Sequence, residues 1–224
     1  VLAGIINTLA GNGSVVTLSL LLFLGLDANA ANGTNRIGAV TQSGTALLTF
    51  GNAGKLQILA KRGLHFLIIT LIAALIGAKI ATDIDKNTLE MVIGGLMVFM
   101  LGLILIKPKR WLRATNIEKN INTPLNYFIF FGIGLYAGFI QMGMGVMFLA
   151  ALVLRANFSL IDANIIKLLI VFAFIIPVII IFVVAGQVNW ELGITLAIGQ
   201  SFGAWLAAKF ALQHPKANIW VHRL

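Results

Sequence analysis

Apolar residues run along this chain in blocks long enough to cross a bilayer, separated by short polar or charged stretches. A spanning helix needs about 20 apolar residues at roughly 1.5 Å rise each. The blocks predict segments near residues 1–24, 29–50, 63–81, 89–106, 125–154, 161–185 and 190–212, and residues 217–224 begin an eighth. Helical periodicity adds little, because a helix that faces both lipid and protein is apolar nearly all round. Two blocks are interrupted. Gly11-Asn12-Gly13-Ser14 breaks the first, and Gln141-Met142-Gly143-Met144-Gly145 breaks the fifth. The second block opens on a polar run, Asn32-Gly33-Thr34-Asn35-Arg36. The sixth holds Asn164 and Lys167 near its start and Pro177 later, the latter read as a kink.

The two halves echo each other. Ala3-Gly4-Ile5-Ile6-Asn7, then Gly11 and Gly13, returns as Ala137-Gly138-Phe139-Ile140-Gln141, then Gly143 and Gly145. Ala31-Asn32 with Asn35-Arg36 returns as Ala163-Asn164 with Lys167. The pattern predicts an all-α, polytopic integral membrane protein of about seven to eight helical segments in two related repeats with glycine-broken first helices. Residues 1–106 form the first repeat, 107–123 a basic cytoplasmic loop, and 124–224 the second repeat. Matched interrupted segments in two halves are the best pointer in a sequence to a transporter site.

Composition agrees. The 224 residues are 59% hydrophobic and only 10% charged, against about 25% charged in soluble domains. The formal net charge of +9 sits in loops, where the positive-inside bias and anionic headgroups account for it, so nucleic acid is not the expected partner. With no cysteine, disulfides and thiolate metal sites are excluded. No cleavable signal peptide is expected. The chain begins at Val1 within an apolar run and ends at Leu224 as another starts, so both ends are read as truncated. The loop bearing Lys107, Lys109, Arg110, Arg113 and Lys119, with Trp111 as interface anchor, is placed in the cytoplasm. That assignment puts Lys55, Lys61 and Arg62 inside, and Asp83, Asp85 and Lys86 outside. Lys209 and Lys216 fall inside, and the turn at 186–189 outside, if the fifth segment is re-entrant. The repeats are then inverted. If the fifth segment crosses once they are parallel, and the charge bias fits less well.

The breaks carry the chemistry. Unpaired backbone is tolerated at membrane depth only inside protein or beside water. Glycine permits positive φ and close approach to the backbone. A half-helix that starts after a break presents free N–H groups and a positive dipole end. Ser14 belongs to such an N-terminus and Asn12 adds an amide, although glycines also serve simple close packing. Asn32, Asn35 and Arg36 lie at i, i+3 and i+4 on one helix face, with Thr34 rotated away. Asn164 and Lys167 repeat the i, i+3 pair. An arginine at the centre of a span costs about 2.5–3.5 kcal/mol on insertion scales. Near an end it can snorkel to the headgroups instead, and Arg36 lies about two turns in. Facing inward, the two cations and their amides would surround a midplane cavity suited to an anion and ill suited to Na⁺ or K⁺.

The acids lie at segment ends: Asp27, Asp83, Asp85, Glu90, Glu118, Asp162 and Glu191, with Asp162 read as a helix N-cap. The histidines, His65, His214 and His222, are peripheral too. Neither a carboxylate proton relay nor an HExxH, GxSxG or Walker motif is present, which argues against an enzyme or a self-sufficient ATP-driven pump. No catalytic or metal-ligating residue and no cofactor is expected.

These motifs resemble the sulfite exporter TauE/SafE family. The likeness rests on Ala3-Gly4-Ile5-Ile6-Asn7-Thr8-Leu9-Ala10-Gly11-Asn12-Gly13-Ser14, Leu24-Gly25-Leu26 and Ala31-Asn32-Gly33-Thr34-Asn35-Arg36. In the second half it rests on Gly138-Phe139-Ile140, Gly143-Met144-Gly145, Ala163-Asn164 to Lys167, Asn189-Trp190 and Gly199. Asn12 interrupts a cluster that is richer in glycine in the family. The resemblance implies a multi-pass protein of the cytoplasmic membrane that moves a small, sulfur-containing anion such as sulfite or a sulfonate. Alternating access between the repeats is the expected mechanism, with the lipid bilayer as surroundings and a homo-oligomer allowed. The expected substrate-binding residues are Asn7, Gly11, Asn12, Gly13, Ser14, Asn32, Thr34, Asn35 and Arg36 from the first repeat, and Gln141, Gly143, Gly145, Asn164 and Lys167 from the second. With no deep carboxylate, sulfite would carry its own proton. The alternative is an anion channel or a non-transporting scaffold subunit.

Overall fold

The computed structural model describes residues 1–51, 56–105 and 122–213. Among these residues the secondary structure is entirely helical. The first broken segment is α1 (Leu2–Leu9) followed by α2 (Gly13–Phe23). Then come α3 (Ala28–Gly51), α4 (Leu56–Asp83) and α5 (Lys86–Leu105). The second broken segment is α6 (Pro124–Phe139) and α7 (Met144–Ala150), the latter continuing as a π-helical turn over Ala151–Arg155. The chain closes with α8 (Leu160–Val184) and α9 (Trp190–Gln213). The basic loop around Lys109 and the eighth segment expected at 217–224 lie outside the described residues.

Both interruptions fall on the expected glycines. Gly11 (φ +83°) and Gly143 (φ +68°) adopt the left-handed backbone that other residues rarely take; Gly11 follows the end of α1, and Gly143 is the N-cap from which α7 starts. Thr123 caps α6, its hydroxyl accepting from the Asn126 amide at 3.3 Å, with Pro124 at the first helical position. At α8 the structure corrects the expected cap. Ser159, not Asp162, is the N-cap, its hydroxyl accepting from the Asp162 amide at 3.1 Å. Asp162 stands in the first turn, where its charge favours the positive helix end.

The helices pack as a core with two flanks. Helix α3 lies against α8 and α9, and α4 lies against α6 and α8. Helix α1 rests on α9 as α6 rests on α4. Glycines set the depth of both flanking contacts. A methyl group on Gly4 would lie 2.8 Å from Gln200 Cα, and one on Gly138 would lie 2.7 Å from Ala74 Cα. This close backbone approach is how helices associate where no hydrophobic drive separates them from lipid. Phe66, Phe130, Phe148 and Phe174 then form a run of ring contacts joining α4, α6, α7 and α8, beginning with a stacked pair at 4.1 Å.

The distribution of polarity is inverted relative to a water-soluble domain. Phe23, Phe128 and Val184 are 90%, 76% and 83% exposed, whereas Arg36 and Lys167 are 0% and 2% exposed. An apolar rim around an interior that buries Arg36 and Lys167 together with several amides fits hydrocarbon as the surrounding solvent. By length and hydropathy alone, 61–83 and 160–184 are long and apolar enough to span a bilayer.

Candidate functional site

The breaks meet each other. A methyl group built on Gly11 would lie 2.6 Å from Gly145 Cα, which places the two backbones in direct contact at the crossing. Ser14, in the first turn of α2, joins the breaks chemically. Its hydroxyl donates to the Gln141 carbonyl at 3.0 Å and accepts from the Gly143 amide at 3.3 Å. Gly13 packs under Asn7: a methyl there would lie 2.8 Å from the Asn7 amide nitrogen, so the chain doubles back beside α1 after the break.

The cations point inward, and snorkelling is excluded for both by their burial. Arg36 on α3 reaches the end of α6. Its guanidinium donates to the carbonyls of Ala137 (3.1 Å), Gly138 (2.6 Å) and Phe139 (3.5 Å), and to Asn32 Oδ1 at 3.3 Å. The Phe182 ring covers it at 4.5 Å. Asn32 adds an amide donor to the Phe139 carbonyl at 2.8 Å. Lys167 on α8 reaches the end of α1, its ammonium donating to the carbonyls of Asn7 (3.2 Å) and Thr8 (3.4 Å). Each half of the chain thus supplies the cation that satisfies the last-turn carbonyls of the other half's broken helix. A cation is favoured there by the negative end of the dipole. No carboxylate among the described residues is buried with these two charges.

Amides fill the remaining space. Asn35, 1% exposed, receives the Thr17 hydroxyl at its Oδ1, and its Nδ2 has no protein partner. Gln141 is fully buried with both side-chain amide atoms unpartnered, and Asn12 Oδ1, Asn164 Oδ1 and Arg36 Nε are unpartnered too. A buried polar group without a bond costs roughly 1–3 kcal/mol, so each of these atoms calls for a partner that the described residues do not supply. The first turn of α2 begins beside the break at Gly11; the Val15 amide donates to the Asn12 carbonyl at 3.1 Å, and helix geometry leaves the amides of Gly13 and Ser14 without an acceptor inside the helix.

Of the expected site residues, Asn7, Gly11, Asn12, Gly13, Ser14, Asn32, Asn35, Arg36, Gln141, Gly143, Gly145, Asn164 and Lys167 all lie on the breaks or on the helix starts beside them. Thr34 stands apart. Its hydroxyl accepts from the Asn189 amide at 2.8 Å and pins the turn before α9. Three polar residues were not anticipated. Gln42 bonds Asn7 through its Oε1 and donates from Nε2 to Thr8 Oγ1 at 3.0 Å, and Thr17 orients Asn35. Gln42 follows Asn35 at i+7, hence on the same face of α3, which is the signal that would have found it.

Broken helices crossing in the interior, buried cations and an apolar rim define a helical membrane protein with the architecture of a transporter. The comparisons name the group. The family model for "Sulfite exporter TauE/SafE" matches residues 1–220, and the chain belongs to that family. It is 24% identical over 214 residues to "Probable membrane transporter protein ORF9" of Sinorhizobium sp, covering 94% of this chain and 80% of the relative. It is 24% identical over 211 residues to "Probable membrane transporter protein YfcA" of Escherichia coli strain K12, covering 94% and 77%. A "Probable membrane transporter protein" of Haemophilus influenzae is 25% identical over 224 residues, covering 97% and 84%. No solved structure matches the chain. The chain is therefore a membrane transporter of this family.

Proposed function

We propose that the protein is a secondary transporter of a small, sulfur-containing anion such as sulfite or a sulfonate, working in the cytoplasmic membrane by alternating access. Residues 1–106 and 124–224 act as inverted repeats joined by the cytoplasmic loop 107–123. The observation that carries the anion is the charge balance of the interior: Arg36 and Lys167 are buried with no buried carboxylate among the described residues, while Asn35 Nδ2 and Gln141 Nε2 are buried amide donors that have no partner. A cation brought to this place would meet two like charges, and a neutral solute would leave the field uncompensated. The two cations are each engaged by helix-end carbonyls, so the substrate is held chiefly by Asn35, Gln141 and the N-terminus of α2, with Arg36 and Lys167 supplying the field. Alternating access draws support from the reciprocal caps, since each cation ties one half to the broken helix of the other and can release it when the halves rock.

Flux into vesicles tests the reading. Proteoliposomes should take up labelled sulfite saturably, methanesulfonate should compete, and preloaded unlabelled sulfite should accelerate entry. Uptake equal to that of protein-free vesicles overturns the assignment. Saturable flux without acceleration by preloaded substrate favours a channel.

A further inference from the structure

Gln141 is the one side chain among the described residues whose amide oxygen and nitrogen are both buried without a partner. Its side chain is fully buried and neither Nε2 nor Oε1 has a protein partner. A primary amide always offers one donor side and one acceptor side, whichever way it is flipped. Satisfying both sides takes a group that both accepts and donates. Ser14 fixes the place, holding the Gln141 backbone carbonyl at 3.0 Å against the first turn of α2. Thr17, on the same helix, takes Asn35 Oδ1, which leaves the Asn35 donor side free in the same neighbourhood.

We propose that Gln141 reads a proton on the substrate, so that the site selects a monoprotonated oxyanion over the corresponding dianion. The proposal rests on the anion-transport reading above and narrows its substrate class. The ligand's charged oxygens accept from Gln141 Nε2, Asn35 Nδ2 and the α2 amides, while its O–H donates to Gln141 Oε1. A dianion has only acceptors and would set a lone pair against Oε1, leaving a buried acceptor unmade, a loss of about tenfold in affinity or more. An organic monoanion without an acidic proton forfeits the same bond. The charge also fits, because helix-end carbonyls already offset part of the field of Arg36 and Lys167.

The full chain in proteoliposomes, at equal pH on both sides, provides the test. Labelled sulfite and selenite are each followed across their own second ionisation, with methanesulfonate as the monoanion lacking an acidic proton and sulfate as the dianion. The titratable or charged groups on the surrounding elements are Arg36 on α3, Lys167 on α8 and Tyr136 on α6, whose hydroxyl donates to the Met142 carbonyl at 2.7 Å. Methanesulfonate keeps one charge state throughout, so its rates correct for any titration of these groups. Sulfite and selenite uptake should track the protonated fraction, with methanesulfonate and sulfate about tenfold poorer. In Gln141→Met the preference for protonated sulfite over methanesulfonate should fall to near unity. Dianions carried as well as monoprotonated anions by the wild type, or a Gln141→Met variant that keeps the preference, overturns the proposal. Transport of none of the four anions at any pH overturns the transport reading itself, and this proposal with it.

Discussion

Replacing Gly11 by alanine tests whether the crossing of the breaks holds the structure together. The new methyl would stand 2.5 Å from the Gly145 carbonyl carbon and 2.6 Å from its Cα, about 1 Å inside ordinary contact. Both neighbours are backbone, so no rotamer change relieves the clash. Overpacking of this kind costs about 1–3 kcal/mol. Position 11 also has φ +83°, and a side chain there adds roughly 1 kcal/mol of strain. The sum is about 2–4 kcal/mol, enough to lower the melting temperature in detergent clearly. Gly95 on α5 is the control. A methyl there meets nothing within 4 Å, and alanine in a helix interior is favoured by about 0.5–1 kcal/mol. Thermal melts followed by size-exclusion chromatography should show Gly11→Ala destabilised and Gly95→Ala unchanged or slightly stabilised. Equal behaviour of the two variants would refute a backbone crossing at Gly11.

Arg36→Met and Lys167→Met should each destabilise by about 3 kcal/mol in the same melts, since each strands helix-end carbonyls in the interior. Arg36→Lys should recover part of the loss, because it restores the charge without the fork that reaches several carbonyls. Ser159→Ala should cost about 1 kcal/mol by removing the α8 cap while leaving vesicle uptake intact. Asp85 precedes α5, and its exposed carboxylate accepts from the Thr88 amide at 3.0 Å. Bonds from Thr88 hold that carboxyl below its usual range. The contribution is therefore present at neutral pH and disappears as pH falls through the depressed value. Melts on the acid side should flatten in Asp85→Asn.

Hydropathy and glycine placement made the helices legible. The breaks at Gly11 and Gly143, the long α3 and α8, and the shared face of Asn32, Asn35 and Arg36 all follow from spacing along one chain. The inward direction of that face does not, because Arg36 stands close enough to the helix start to snorkel. Helix limits were less visible where a helix outruns the apolar block. Helix α4 begins at Leu56 and not near Gly63, because exposed Lys61 and Arg62 continue the helix with polar side chains. The partners of the cations were not legible at all. Arg36 meets carbonyls about a hundred positions further along the chain, and Lys167 meets those of α1. That pairing depends on how the halves dock, and a linear pattern of residue types carries no record of it. Thr34 illustrates the converse: its motif position suggested the site, but a rotation of about 100° per residue turns it toward the α9 turn.

A density map of the purified protein, recorded with and without saturating sulfite, bears most directly on the role of the crossing breaks. Additional density should stand between Gln141, Asn35 and the first turn of α2, within hydrogen-bond distance of their free amides. Density confined to the rim, with Gln141 unchanged and the breaks packed against each other, would contradict an anion site there.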